Sequence, residues 1–222
     1  NIADAMEHVE DMRDTFVDRT LSNSIDQMPQ DKLIESNVHF IDDNTLQTED
    51  GEQIRAQKII IATGSRPVIP DAWSAFAEQV FTTDDIFEME SLPESVAVIG
   101  LGVIGLEIGQ SLHRLGISVT GIDQQNIISG IQDDDVNQTA IDIIGREFPL
   151  WLGQAAEIKQ LDNGKLQVSA GNNSVEVDKI FASLGRRPNI DKLQLQNTSL
   201  ELSDNDVPEY DPQTMQLGNS SI

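Results

Sequence analysis

A glycine-rich hexapeptide at residues 100–105, GLGVIG, has the spacing G-x-G-x-x-G that lets a chain turn around a phosphate. Gly100 would permit the tight turn, and Gly102 would let the backbone approach a pyrophosphate. Val103 and Ile104 would open a helix whose first N–H groups and dipole receive the phosphate charge. Gly105 would let that helix pack closely on a strand. The hexapeptide alone is a weak indication of phosphate binding, so the prediction depends on the sequence around it.

The sequence on both sides of the hexapeptide has the pattern of a strand and of a helix. The apolar run Val96–Ile99 leads into it as a buried strand. Apolar residues then recur at helical spacing, and Gly116 suits a left-handed C-cap. A second strand, Ile117–Ile122, ends on Asp123, which lies 18 residues after Gly105. This order predicts a dinucleotide site. The predicted inward stripe of the helix is Ile104, Ile108, Leu112 and Leu115.

Asp123 indicates which dinucleotide is bound. Its carboxylate would accept hydrogen bonds from both hydroxyls of the adenosine ribose and would repel a 2′-phosphate. Residues 124–131 contain no Arg or Lys that could offset this repulsion. We therefore expect NAD(H) rather than NADP(H). The alternative is a structural glycine turn without a ligand, with Asp123 as an ordinary acid at a strand end.

The rest of the sequence predicts two related α/β parts. A helix with an apolar stripe opens the chain, and an antiparallel meander over residues 38–56 leads to a buried strand, Lys58–Ala62. After the hexapeptide, strands and helices alternate, and a second meander leads to a closing strand, Lys179–Leu184. Both closing strands run into Gly-x-Arg-Pro, at Gly64 and at Gly185, with one constant offset between the copies. This correspondence indicates an internal repeat. The stripe of the first helix is Ile2, Met6, Val9, Met12 and Phe16.

Composition excludes several classes of function. The net charge of −24, from 38 acidic and 14 basic residues, disfavours nucleic acid and anionic membranes as partners. The chain has no cysteine, which excludes a disulfide framework, a thiolate metal site and a cysteine nucleophile within these residues, and we expect no metal site. No apolar run reaches the ~20 residues of a membrane span, and no signal peptide is evident. We expect a cytoplasmic protein.

Four segments together resemble the flavoprotein disulfide reductases (pyridine nucleotide-disulfide oxidoreductases), most closely the dihydrolipoamide dehydrogenases. They are ATGSRP at residues 62–67, the block from Gly100 to Glu107, LGRRPN at residues 184–189 and VPEYDPQTMQ at residues 207–216. The resemblance covers nearly the whole chain. It implies a doubly wound, Rossmann-like NAD-binding domain with an inserted β-meander at residues 87–189. Parts of an FAD-binding domain would flank it, at residues 1–86 and 190–222.

The resemblance also implies roles for single residues. Thr63 and Gly64 would lie near FAD, Glu107 would face the nicotinamide ring, and Gly185 would line the same cleft. The alternative for Glu107 is an exposed acid favoured by the helix dipole. His8, His39 and His113 lie in helix or strand patterns and are interpreted as structural or surface residues. No catalytic residue is therefore assigned.

The expected parent enzyme passes a hydride between NAD(H) and FAD and exchanges electrons with a dithiol/disulfide pair. The resemblance implies that the redox-active cysteines would precede the first residue here and that the catalytic histidine would follow the last one, so we expect an inactive internal fragment of a homodimeric enzyme. Exposed apolar ends favour association into a homo-oligomer. The alternatives are an NADH oxidase or a transhydrogenase of the same build, and a module that senses NAD without redox chemistry.

Overall fold

A computed structural model describes residues 2–222, which form two compact units. The sheet unit contains residues 2–20 and 67–186, and the flanking unit contains residues 21–66 and 187–222. Asn1, with which the first predicted domain begins, lies outside the described residues. The limits of these units differ from the predicted domain limits at residues 86/87 and 189/190. The assignment of the two parts to NAD and to FAD stays a prediction.

The chain begins with a long helix, α1 (Ile2–Ser22), as the spacing of its apolar residues predicts. Arg13 ties α1 to the sheet unit, because its guanidinium donates to the Phe87 carbonyl at 2.8 Å and pairs with Glu88 at 2.9 Å. None of the described residues of α1 is buried, and Phe16 is 74% exposed. The predicted apolar stripe therefore exists, but its second half faces solvent.

The flanking unit contains an antiparallel meander. Its strands are β1 (Val38–Asp42), β2 (Thr45–Thr48) and β3 (Gln53–Arg55), in the order β1-β2-β3. The predicted meander is thus confirmed. Its core is formed by Phe40, which is buried against Leu193, Leu195 and Ile222 of the C-terminal segment. Short 3-10 helices complete this unit at Ile25–Gln27, Gln30–Lys32 and Leu195–Asn197.

The strand predicted at Lys58–Ala62 is wrong. These residues have no strand pairing, and Ile60 is 90% exposed. The backbone N–H of Ile59 instead donates to the carbonyl of Ser221 at 3.0 Å, and Ile59 packs against the core of the flanking unit. An apolar run becomes a strand only where neighbouring strands accept its backbone hydrogen bonds. The described part of the flanking unit offers this segment no such neighbour.

The sheet unit contains eight strands: β5 (Val80–Phe81), β6 (Ser95–Ile99), β7 (Ser118–Asp123), β8 (Leu150–Leu152), β9 (Glu157–Gln160), β10 (Leu166–Ala170), β11 (Asn173–Val177) and β12 (Lys179–Ala182). Five of them form a parallel sheet in the order β5-β12-β6-β7-β8. A separate antiparallel meander, β9 to β11, precedes the last parallel strand along the chain. Two α-helices connect the central strands, α2 (Val103–Arg114) after β6 and α3 (Asp134–Ile144) after β7.

The central strand β6 separates two cores. Val96 and Val98 point to the side of α2, whereas Ala97 and Ile99 point to the side of the β9–β11 meander. From β6 the chain proceeds to β7 and β8 on one side of the sheet, while β12 lies on the other side of β6. The crevice between the carboxyl ends of β6 and β12 is therefore a topological switch point. The predicted α/β class with an inserted meander is confirmed. The carboxyl ends of β6, β7 and β12 are where ligands bind in such sheets.

The two Gly-x-Arg-Pro segments have corresponding backbone geometry. They coincide with the short strands β4 (Ser65–Pro67) and β13 (Arg186–Pro188), where the chain passes between the units. In the sheet unit Val68 donates to the Gly185 carbonyl at 3.0 Å, and in the flanking unit Asn189 donates to the Gly64 carbonyl at 3.0 Å. Both glycines have positive φ, +95° at Gly185 and +69° at Gly64.

Among residues 2–222, none of the helices combines the length and the apolar character that a membrane-spanning helix needs.

Candidate functional site

The glycine turn at the end of β6 is held by three hydrogen bonds. The backbone N–H of Gly100 donates to the Ile122 carbonyl at 2.9 Å, and that of Leu101 donates to Oδ2 of Asp123 at 2.6 Å. The carbonyl of Leu101 accepts from the N–H of Ser129 at 2.8 Å. The Leu101 side chain is buried in the core below. The turn is therefore a rigid part of the sheet edge.

The three glycines of the motif differ in what the protein requires of them. Gly100 has φ of +94°, and a Cβ there would collide with the Ser183 carbonyl. A Cβ on Gly105 would collide with the Gly100 carbonyl. Gly102 has an ordinary φ of −63°, and a Cβ there would meet no atom within 4 Å. Two glycines are thus required for packing, whereas the third keeps an open space above the helix N-terminus.

Helix α2 packs on the core of the sheet unit with most of its predicted apolar stripe. Leu112 is buried and Ile108 packs against the same core, whereas Ile104 is exposed. Gly105, Leu106 and Gly109 are also buried on this helix. Two glycines on one face let α2 lie close to β6, since a Cβ on Gly109 would be 3.4 Å from a methyl of Val98. Close backbone packing here outweighs the burial of one further isoleucine side chain. Ile104 is consequently available at the surface near the turn.

Asp123 lies at the carboxyl end of β7 and is half-buried. Besides the bond from Leu101, its Oδ1 accepts from the N–H of Gln125 at 2.8 Å. Each carboxylate oxygen has further lone-pair capacity after one such bond, so the group can also accept from ribose hydroxyls. Gly153 donates to the Gln125 carbonyl at 3.1 Å and fixes the loop after β7. The carboxylate is thereby oriented before any ligand arrives.

Two clefts flank the glycine turn within the sheet unit. The larger has a volume of about 480 Å³ and contains Gly100, Gly102 and Asp123, with Trp73 and Pro70 on one side. The smaller has a volume of about 260 Å³ and contains Gly102, Val103, Ile104 and Gly185. The structure therefore brings together seven of the predicted site residues around one turn: Gly100, Gly102, Val103, Ile104, Gly105, Asp123 and Gly185.

The smaller cleft also contains an arginine that the sequence analysis does not single out. Arg186 donates to the Thr83 hydroxyl at 3.0 Å and to Asp84 at 3.1 Å. These bonds fix the guanidinium at the edge of the cleft. Glu107 is exposed on α2 and lines neither cleft, so its predicted role at the nicotinamide stays untested.

Thr63 and Gly64 lie in the flanking unit. Thr63 lines a cavity of about 770 Å³ together with Arg66, Asn189 and Asp191. The amide of Asn189 donates to the Thr63 carbonyl at 3.1 Å and accepts from Arg66 at 2.8 Å. Arg66 also pairs with Asp191 at 2.6 Å, and this hydrogen bond lowers the pKa of the Asp191 carboxyl. The segment around Gly64 is thus tied to the chain that follows β13.

Two polar clusters hold the elements that carry the turn. Glu147, which follows α3, accepts from Arg114 at 3.0 Å and from Gln110 at 2.7 Å, and the bond from Arg114 lowers its pKa. Asp178, before β12, accepts from the hydroxyl of Ser95 at 2.6 Å, which lowers the pKa of that carboxyl. These bonds fix α2 against α3 and β6 against β12.

Sequence reasoning misses several residues of the clefts. Trp73 lies in a 3-10 helix (Asp71–Gln79) far from the motif, Pro70 directly precedes that helix, and no spacing rule connects either residue to the motif. Ser183 lies two residues before Gly185, so its position after a closing strand is a signal that could have identified it. Gln124 and Gln125 follow Asp123 directly and could have been included for the same reason.

Comparison with known proteins identifies relatives that are all oxidoreductases. Mercuric reductase from Staphylococcus aureus is 30% identical over 76% of this chain and 32% of its own length. Dihydrolipoyl dehydrogenase 2 from Haloarcula marismortui is 29% identical over 82% of this chain and 41% of its own. A soluble pyridine nucleotide transhydrogenase from Mycobacterium tuberculosis is 31% identical over 77% and 38%. The chain spans about a third to two fifths of the length of these relatives.

Solved structures share the fold. The HOCl-induced flavoprotein disulfide reductase RclA from Escherichia coli matches 94% of this chain and 48% of its own, with a TM-score of 0.80 and 20% identity. A water-forming NADH oxidase from Lactobacillus brevis, bound to NADH, matches 76% of this chain and 40% of its own, with a TM-score of 0.63 and 25% identity. Residues 2–216 match the pyridine nucleotide-disulphide oxidoreductase family. The chain therefore belongs to this family.

Proposed function

We propose that this chain supplies the NAD(H)-binding part of an FAD-dependent oxidoreductase similar to dihydrolipoyl dehydrogenase. The family implies FAD and a nicotinamide dinucleotide as cofactors. The parent enzyme would pass a hydride between NAD(H) and FAD and exchange electrons with a dithiol/disulfide pair. The chain contains no cysteine, so the dithiol would come from outside these residues, and we expect the chain alone to be inactive.

Gly102 is the observation that carries this proposal. The packing of the protein does not require a glycine at this position, because the φ is ordinary and the space above the Cα is open. The residue also lines both clefts and caps α2 without a side chain. A pyrophosphate that approaches the helix N-terminus closely would need that space. Gly102 is thus explained by a ligand rather than by the fold.

The two halves of the dinucleotide would occupy the two clefts. Asp123 would accept from the adenosine ribose in the larger cleft, and Gln124 beside it carries no positive charge for a 2′-phosphate. Val103, Ile104 and Gly185 would surround the nicotinamide end in the smaller cleft. Glu107 would orient the nicotinamide, while Thr63 and Gly64 would contact FAD. A bound nicotinamide would donate or accept the hydride, and Val103, Ile104, Gly185 and Glu107 would bind and orient it.

The predicted domain assignment is retained as part of this proposal. Residues 87–189 would form the NAD-binding domain, and residues 1–86 and 190–222 would belong to the FAD-binding domain of the parent. The exposed apolar side chains of α1 and Ile60 favour a homo-oligomer.

Titration with NADH tests the nucleotide site. Trp73 lines the larger cleft, so NADH should quench its fluorescence, and a Trp73→Phe variant should lose most of that signal. Gly102→Ala should fold normally and bind NADH more weakly by about tenfold or more, because its methyl occupies the pyrophosphate space. Gly100→Ala should instead destabilise the fold by about 2–4 kcal/mol. Full NADH binding by a folded Gly102→Ala variant would contradict the proposal.

The preference for NAD(H) is tested without disturbing Asp123, whose carboxylate also holds the glycine turn. Gln124→Arg places a cation beside the adenosine ribose and should raise the affinity for NADPH relative to NADH by about tenfold. Gln196→Arg, on the exposed surface of the flanking unit, adds the same charge and should change neither affinity. Equal binding of NADH and NADPH by the unmodified chain would refute the predicted preference.

An NADH oxidase or a transhydrogenase of the same build is the second candidate, since both occur among the similar proteins. The full-length parent separates these activities when it is given lipoamide, oxygen or a second nicotinamide nucleotide as electron acceptor. A parent without flavin would instead indicate an NAD-sensing module.

A further inference from the structure

We infer that the hydroxyl of Ser183 binds the pyrophosphate of the dinucleotide by donating a hydrogen bond to it. This inference rests on the proposed function. Ser183 follows β12 and lies opposite the glycine turn. Its backbone N–H donates to the Ile99 carbonyl at 2.9 Å, and its carbonyl lies against Gly100. The backbone of Ser183 is therefore fixed by the same strand end that carries the motif.

The Ser183 hydroxyl lies close to the first turn of α2. Oγ of Ser183 lies 3.2 Å from the position that a Cβ would take on Gly105. It is thus beside the first turn of the helix, where phosphate oxygens would meet the backbone N–H groups. Ser183 and Gly102 are also the two residues that line both the larger and the smaller cleft. The pyrophosphate joins the two halves of a dinucleotide, so it is the part of the ligand that would pass this junction.

The hydroxyl makes no hydrogen bond within residues 2–222 and remains accessible to solvent, although the side chain is half-buried. It is therefore available to a ligand in the clefts. A serine hydroxyl can donate one hydrogen bond and accept two. A phosphate oxygen at the junction would accept that hydrogen, and a charge-assisted bond of this kind is stronger than a neutral one.

The internal repeat supplies an independent comparison. The position that corresponds to Ser183 in the flanking copy is Ala62, which precedes Thr63 and Gly64 as Ser183 precedes Leu184 and Gly185. A Gly-x-Arg-Pro turn with positive φ at its glycine therefore forms in this chain without a hydroxyl at this position. The serine is explained by what the sheet unit binds rather than by the turn.

Calorimetric titration of Ser183→Ala with three ligands tests the inference. ADP-ribose contains the pyrophosphate and no nicotinamide, whereas adenosine contains no phosphate and is followed by competition with NADH. We expect NADH and ADP-ribose each to bind about tenfold more weakly to the variant, because a hydrogen bond to a charged group is lost. Adenosine should bind with unchanged affinity. Ser174→Ala, exposed on β11, is the matched control and should bind all three ligands like the unmodified chain.

The outcomes separate this inference from the proposed function. Unchanged affinity of Ser183→Ala for ADP-ribose, with NADH still bound, would overturn the role of the hydroxyl and leave the nucleotide site standing. An equal loss for adenosine would also overturn it, because the effect would then come from the adenosine end or the fold. Failure of the unmodified chain to bind NADH would refute both proposals.

Discussion

Two segments related by the internal repeat have different structures. Residues 58–61 and Lys179–Ala182 both begin with Lys-Ile, follow a meander and lead to a glycine of positive φ. Lys179–Ala182 is strand β12, paired with β5 and β6, and Phe181 is fully buried. Residues 58–61 are unpaired, and Ile60, which corresponds to Phe181, is almost fully exposed. The same local pattern therefore gives a strand only where parallel neighbours are present.

The comparison shows which contributions are local and which are not. The meander and the Gly-x-Arg-Pro turn form in both copies, because hairpin turns and a left-handed glycine need only nearby residues. The closing strand needs neighbours from distant parts of the sequence, since both of its edges must be hydrogen-bonded and both of its faces covered. The sheet unit supplies them through β5, β6 and the two cores.

The largest expected difference concerns the matched pair Phe181 and Ile60. Phe181→Ala should reduce the free energy of unfolding of the sheet unit by about 3–5 kcal/mol, because it leaves a cavity beside Phe81, whose ring centroid is 5.2 Å away. Ile60→Ala should change the free energy of unfolding of the flanking unit by less than about 0.5 kcal/mol. Urea unfolding followed by far-ultraviolet circular dichroism reports both units, and the fluorescence of Trp73 and Trp151 reports the sheet unit separately. Similar losses in the two variants would mean that residues 58–61 are buried in solution.

The next effect concerns association. An exposed Ile60 without strand neighbours should take part in contacts between copies of the chain, and Ile60→Lys should lower the association constant roughly tenfold. Sedimentation velocity over a range of concentrations measures it. Gln196→Arg, which changes the net charge equally at another exposed site, serves as the control. A monomer at all concentrations would contradict the expected homo-oligomer.

A smaller effect is expected where the chain enters β12. Asp178 joins Ser95 and Lys165, with the Lys165 ammonium at 3.0 Å, whereas the corresponding residue in the flanking copy is Gln57. The Ser95 hydroxyl lowers the pKa of the Asp178 carboxyl, so the stabilisation is complete above the unfolded pKa of about 3.9. It is lost as the pH falls through the lower, folded-state pKa.

Asp178→Asn should therefore cost about 1 kcal/mol at pH 7, a modest value because the carboxyl is partly solvated. The difference from the unmodified chain should shrink as urea titrations are repeated at lower pH, down to pH values below the folded-state pKa. Asp162→Asn, an exposed acid in the β9–β10 turn, should show neither effect. A difference that stays constant with pH would exclude the carboxylate as its cause.

Much of the fold follows from local patterns, but the site follows from them only in part. The strand, turn, helix and acid of the dinucleotide motif are predicted in order because each depends on nearby residues. The buried face of α2 is predicted only in part: Leu112 is buried as expected, but Gly105 and Gly109 are missed because apolar counting ignores small residues that permit close backbone contact. Trp73 enters the cleft only through the tertiary path of the chain after Pro70. Such contacts have no signature in sequence spacing.

The smallest effect concerns the two arginines of the repeated exits. Arg66 binds Asn189 and Asp191, whereas Arg187, its counterpart, is exposed. Arg66→Ala should speed hydrogen exchange of the backbone N–H of Asn189, which donates to the Gly64 carbonyl, by roughly two- to fivefold. The effect is small because exposed ion pairs contribute little to stability. Arg187→Ala should leave this rate within experimental error. If both variants accelerate exchange equally, the two Gly-x-Arg-Pro turns are stabilised alike, and the difference between the copies is confined to the segments that precede them, residues 58–61 and Lys179–Ala182.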